Sequence, residues 1–186
     1  TPGIQVLVAR KGKVIYQKSF GYHTYDKTIK VQNSDIYDVA SLTKIMATLP
    51  NVMVQYDHQK INLETTLGTM LPIFKNSNKA TINFKDLLSH YAGLAAGIPF
   101  YKATMDKSSF PSEVYFRKIS EEQFSKKMAD SLFIRNDFCD TIMKMIVKSK
   151  IALKKEYKYS DLTFMILKDY LEKTKTNKNF KLPEKQ

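Results

Sequence analysis

Asp38-Val39-Ala40-Ser41-Leu42-Thr43-Lys44 places a serine and a lysine three residues apart, at the point where the chain changes period. Downstream of Ser41, residues Ile45, Leu49, Val52, Met53 and Tyr56 recur at i, i+4, i+7, i+8 and i+11. That spacing predicts one face of a helix over 41–57, kinked at Pro50. On such a helix Ser41 and Lys44 share a face. A serine that opens a helix sits at the positive end of its dipole, beside free backbone N–H groups. A lysine one turn on can then take the hydroxyl proton. The same residues also read as an N-cap serine followed by an ordinary surface lysine.

Upstream, Ile4-Gln5-Val6-Leu7-Val8-Ala9 is a nearly continuous apolar run, as in a strand covered on both faces. A turn at Arg10-Lys11-Gly12-Lys13 and a return strand over Val14–Phe20 complete a hairpin over 4–20. Downstream, Thr81-Ile82-Asn83 reads as an extended piece, and Phe84–Leu88 as a short helix stopping near Gly93. Residues 95–119, rich in Pro, Ser and aromatics, read as a covering loop. Ser120-Glu121-Glu122-Gln123 fits a capping box for a helix to about Leu132. Asp137 can cap another helix through Ile142, Met145 and Ile146, and a final helix runs from about Leu162 to Lys173. The Lys- and Asn-rich tail, Thr174–Gln186, reads as frayed.

Composition narrows the function classes. The chain has 186 residues, 43% of them hydrophobic, enough for a sizeable core and against disorder. No run of about 18 apolar residues predicts a membrane-spanning helix. One cysteine, Cys139, excludes a disulfide framework and a Cys-based zinc site, and reads as a core residue on an apolar helix face. His23, His58 and His90 are far apart in sequence, so no metal site is expected. The net charge of +12 raises a nucleic-acid partner. Against it, only Arg10, Arg117 and Arg135 supply the guanidinium that base and phosphate recognition favours, and the lysines are scattered. No nucleic-acid partner is expected.

A second motif, Tyr159-Ser160-Asp161, stands just before the last helix. A tyrosine near a cation can share a proton and act as acid or base. Taken alone, the motif reads better as a buried tyrosine followed by an N-cap aspartate.

Taken in order, five stretches resemble the serine β-lactamase-like family, which includes class C β-lactamases, penicillin-binding DD-peptidases and related esterases. They are Pro2-Gly3 with the hairpin ending at Phe20-Gly21; Asp38–Lys44; Lys60-Ile61-Asn62-Leu63 leading to Met70-Leu71-Pro72; Ile82–Leu94; and Tyr159-Ser160-Asp161-Leu162. Residues 95–101 and 134–137 further resemble hydrolase modules attached to family 3 glycoside hydrolases.

The resemblance implies a mixed α/β (α+β) fold, an antiparallel sheet flanked by helices plus an all-helical lobe. Residues 1–186 would form a single, partial β-lactamase-like domain, with the hairpin at 4–20, the nucleophile helix at 41–57 and the helical lobe at about 60–173. Ser41 would be the nucleophile, Lys44 and Tyr159 would manage its proton, and Asp161 would contact substrate. The substrate would be a β-lactam, a peptidoglycan peptide or an ester, in the periplasm or cell envelope, with no cofactor and no metal. The alternative is a non-catalytic module attached to an envelope glycoside hydrolase. Two departures stand out. No Lys/His-Thr/Ser-Gly motif follows the tyrosine, so the chain is expected to be incomplete at its C-terminal side. Asp161 replaces the Asn typical of class C, and an ionised Asp cannot donate to a substrate carbonyl. That departure shifts weight from β-lactams to peptidase- or esterase-like chemistry. His90 resembles a position read as structural, and Phe100 and Tyr101 are candidates for cleft or core.

Overall fold

The computed structural model describes residues 1–176 and divides into two compact units, Thr1–Leu42 and Thr43–Gln186. The first unit is built on β1 (Gly3–Arg10) and β2 (Lys13–Gly21), paired antiparallel from Gly3↔Gly21 to Arg10↔Lys13. Lys11 and Gly12 both have positive φ, 50° and 75°, as a two-residue hairpin turn that matches strand twist requires. A bulge between Val8 and Ala9 shifts the register. The expectation of a strand covered on both faces does not hold, because Ile4, Leu7 and Val8 are exposed. Beyond the hairpin, Asp35 accepts from the Gln32 N–H at 2.7 Å and pairs with His23 at 2.8 Å. These contacts hold the Asp35 carboxyl below its ordinary range, the Gln32 bond first and His23 second.

The second unit carries the core. Its backbone is helical from the start, with a π-helical turn at Lys44–Thr48 running into α1 (Leu49–Asp57). The turn is wide because Leu49 N–H bonds Lys44 C=O, an i→i−5 link, and Pro50 next to it has no N–H to give. Of the apolar face read from the sequence, Val52 is buried and Ile45, Met53 and Tyr56 are exposed.

Then come α2 (Leu67–Met70), a 3₁₀ turn at Pro72–Phe74 and α3 (Phe84–Leu88). Asn83 caps α3 by accepting from the Asp86 N–H at 2.8 Å. The loop after Gly93 contains a 3₁₀ turn at Phe100–Thr104. The helix expected from the capping box at Ser120 is absent. A three-stranded antiparallel sheet stands there instead: β3 (Phe116–Arg117), β4 (Lys126–Ala129) and β5 (Leu132–Ile134), in the order β3-β5-β4. Glu121 pairs with Phe124 in a bridge rather than entering a helical turn. Asn136 fixes the arrangement by accepting from the Ser125 N–H at 3.0 Å and donating to the Glu122 carbonyl at 2.9 Å.

α4 (Phe138–Lys148) buries Phe138, Met143 and Ile146. Asp137 precedes it without a side-chain capping bond and pairs with Arg135 at 2.5 Å instead. Cys139, expected in the core, is exposed on this helix. α5 (Asp161–Thr176) buries Leu162, Ile166, Leu167, Tyr170 and Leu171. They pack with Leu67, Met70, Phe74, Phe84, Leu87, Leu94 and Ile146 into one core. Phe84 meets Tyr170 edge to face at 5.7 Å, and burial pushes the Tyr170 phenol up to about 12. Thr174 to Thr176 close α5, and the rest of the expected frayed tail lies outside the described residues.

Candidate active site

Ser41 belongs to the first unit, one residue before the helical backbone begins at Leu42. A tight turn delivers it. The Asp38 carboxylate accepts from the Ala40 N–H at 2.7 Å, and the Val39 carbonyl accepts from the Leu42 N–H at 2.9 Å. Ala40, directly before Ser41, is left-handed with φ 43°. A side chain in that region costs on the order of 1 kcal/mol, a kind of strain that collects at functional sites.

The second unit brings Lys44, Tyr159 and Asp161 together. Lys44 stands in the first turn of its helix, and Tyr159 and Asp161 flank the start of α5. Lys44 Nζ lies 2.7 Å from Asp161 Oδ1. It also sits 5.3 Å from the centre of the Tyr159 ring and 5.9 Å from that of Phe164, within range of cation–π attraction. Burial pulls the Lys44 ammonium down. Contacts with Asp161 and Tyr159 outweigh it, so the net displacement is upward from the ordinary lysine value. Lys44 is therefore held as a cation at neutral pH. Asp161 itself stands in the first turn of α5, where a carboxylate is favoured by the helix dipole.

The segment before α5 is laid along residues 90–96. Gly93 C=O accepts from the Ala152 N–H, His90 C=O from Lys158 N–H and Ala96 C=O from Asp161 N–H, each at 2.9 Å. Buried Ser160 donates its hydroxyl to Ala95 C=O at 2.6 Å. Gly93 is left-handed, φ 68°, and a Cβ there would meet Ala152 O at 3.1 Å and Ile151 Cγ1 at 3.2 Å. Only glycine provides both the backbone angle and the close approach. Lys155 ties the same segment to α3 through Asp86 at 2.6 Å.

Phe164 beside Lys44 was not among the residues singled out from sequence; His90, Gly93, Ala95 and Ala96 lie in stretches read there, but not as a row of acceptors for the segment before α5. The sequence signal was present in the Gly93 position but not in Phe164, which reads as one more apolar residue of an amphipathic helix. Phe100 packs against the core and Tyr101 is exposed. Among the described residues no group of three or more His, Cys, Asp or Glu could hold a metal ion, and no helix is long and apolar enough to cross a membrane.

A family model described as Beta-lactamase matches residues 1–181. A protein of Salmonella gallinarum (strain 287/91 / NCTC 13346), named "Putative D-alanyl-D-alanine carboxypeptidase", is 26% identical over 181 residues, 89% of this chain and 36% of its own length. Among solved structures, EstCE1, a hydrolase with promiscuous acyltransferase activity, superposes with a TM-score of 0.63 at 22% identity, covering 94% of this chain and 42% of that one. A class C beta lactamase from Rhodobacter sphaeroides gives 0.61 at 15% identity, over 94% and 40%. The mixed α/β fold is thus shared with the hydrolase EstCE1 and the class C lactamase alike. The chain spans less than half the length of the curated relatives it matches.

Proposed function

The chain belongs to the beta-lactamase family, and on that premise we propose that it supplies the nucleophile and proton-handling groups of a serine hydrolase working through an acyl-enzyme. The observation that supports this most directly is the Lys44–Tyr159–Asp161 cluster, with Ser41 three residues ahead of Lys44. In this reading Ser41 Oγ attacks a carbonyl carbon and forms the acyl ester. Its proton passes to the Tyr159–Lys44 pair and then to the departing amine or alkoxide. Water attacks the ester in turn, with the same pair accepting its proton, and frees Ser41. Because Lys44 is held cationic, Tyr159 is the better acceptor of the pair, and the ammonium stabilises its phenolate.

Asp161 accepts hydrogen bonds and does not donate them when ionised. The substrate portion nearest it therefore carries a donor, such as a peptide N–H or an ammonium. This favours a peptide over a β-lactam, and a peptide substrate agrees with the name of the Salmonella relative, "Putative D-alanyl-D-alanine carboxypeptidase".

The test is covalent labelling of the native protein that carries this chain. A fluorophosphonate or fluorescent penicillin should add once, and mass spectrometry should place the adduct on the peptide containing Ser41. An adduct elsewhere, or one that survives Ser41→Ala, overturns the assignment. No labelling by either probe, with intact ligand binding, supports a non-catalytic module instead.

A further inference from the structure

His90 meets the chain on both sides of Tyr159. Its carbonyl accepts from the Lys158 N–H at 2.9 Å, and its Nδ1 accepts from the Ser160 N–H at 3.2 Å. Between those two bonds, its ring lies against the Tyr159 ring, centroids 4.6 Å apart and planes tilted by 40°. Tyr157 meets the imidazole edge on at 6.0 Å and Phe164 lies 5.8 Å away. His90 is itself anchored to the end of α3, its N–H donating to Leu87 C=O. Its backbone is left-handed, φ 60°, and that conformation lets one residue present both its carbonyl and its side chain to the same neighbouring segment. A histidine that only filled space would not need the Nδ1 bond to Ser160.

We propose that His90 is a positioning residue for Tyr159, fixing the phenol through the Lys158 and Ser160 amides and releasing it when the imidazole is protonated. The proposal rests on the reading of Tyr159 as a proton-handling group.

The chemistry sets the direction of the pH effect. An Nδ1 that accepts an N–H carries no hydrogen, so the ring is neutral with its proton on Nε2. Protonation places a hydrogen on Nδ1 facing the Ser160 N–H, and the bond is lost. The charged and titratable groups around the ring are Lys44, Asp161, Tyr157 and Tyr159. Burial first, and the Lys44 cation second, pull the imidazole below its ordinary value, while Asp161 acts in the opposite sense. The clamp therefore holds at neutral pH and opens only on acidification below the usual histidine range.

Two substitutions at His90 separate positioning from packing. His90→Leu keeps apolar bulk but has no side-chain acceptor for the Ser160 N–H. His90→Asn keeps an acceptor and tolerates the left-handed backbone, yet does not titrate. A displaced catalytic group of this kind costs about a hundredfold. Acylation of the native protein by a chromogenic ester should fall about that much in kcat for His90→Leu, with KM nearly unchanged. His90→Asn should recover most of the rate at neutral pH and lose the acid inflection. Should His90→Leu fail to fold, the His90→Asn profile decides alone, and an acid inflection that persists unchanged overturns the proposal. Tyr159→Phe is the control for the underlying reading. If it acylates at the parental rate, Tyr159 handles no proton and that reading fails. If it is slow while His90→Leu is normal, only the His90 proposal fails.

Discussion

Tyr159, Phe164 and Asp161 surround the Lys44 ammonium, and replacing Asp161 changes one of these influences without disturbing the rings. Asp161→Asn removes the anion 2.7 Å from Nζ. Burial, which acts downward on Lys44, then meets less opposition, so the lysine pKa falls. With that anion gone the Tyr159–Lys44 pair gives up a proton at lower pH, and the ascending limb of the acylation rate should move to lower pH. A pH–rate profile of both forms checks this, and an unmoved limb would leave Asp161 as a helix-terminal carboxylate alone. Lys44→Ala should slow acylation by about two to four orders of magnitude, the usual scale for a general acid–base group. Ser41, Lys44, Tyr159 and Asp161 could be picked out in the sequence because two short motifs carry them. The hold of His90 on Tyr159 could not, because the two lie 69 positions apart and only the folded chain lays residues 90–96 along 152–161.

Helix ends decide much of the stability of the second unit, and α4 has an unusual one. Lys79 is fully buried, and its Nζ donates to Val147 C=O at 3.1 Å, Ser149 C=O at 2.5 Å and Asn78 Oδ1 at 2.9 Å. A cation at a helix C-terminus complements the dipole and satisfies the last carbonyls. Lys79→Met keeps the stem and strands these acceptors, which should cost about 1–3 kcal/mol, read from urea unfolding at pH 7. Burial lowers the Lys79 pKa, so between that lowered value and the unfolded one near 10.5 the unfolded chain binds more protons. Stability contributed by this group therefore rises with pH across that window. The Met variant should lack the rise. Local sequence signals located the helices better than their buried faces: Phe84–Leu88 is helical as read, and of the α4 spacing Ile142, Met145 and Ile146 only Ile146 is buried. They failed at Ser120, where the capping pattern is present but Asn136, more than ten residues on, binds the segment into a sheet. Asp130-Ser131, with Ser131 at φ 55°, was the overlooked turn between β4 and β5.

Burial is distributed unevenly over the molecule, and stability should follow it. The second unit gathers Leu162, Ile166, Leu167 and Tyr170 of α5 with Phe84, Leu87 and Ile146 into a core in which each of these is at most 2% exposed. Burying one such aliphatic side chain stabilises by about 1.5–3 kcal/mol, and Ile166→Ala should cost about 2–5 kcal/mol because it also leaves a cavity. The first unit has no comparable centre. Ile4, Leu7, Val14 and Ile15 of its hairpin are each more than half exposed, and a two-stranded sheet is marginal in water. Its strands are paired along their length apart from the bulge at Val8/Ala9, but little apolar area has left water to hold them closed. Local opening of the hairpin should therefore need far less free energy than opening of α5. Native-state hydrogen exchange on the 186-residue chain reads this directly. Amides of Val6, Val8 and Lys18 should exchange through local opening, insensitive to low denaturant. Amides of Ile166, Leu167 and Tyr170 should exchange only with unfolding of the second unit, and Ile166→Ala should accelerate these while leaving the hairpin amides unchanged. Equal protection in both units, or a common response to Ile166→Ala, would show that the hairpin shares the stability of the core.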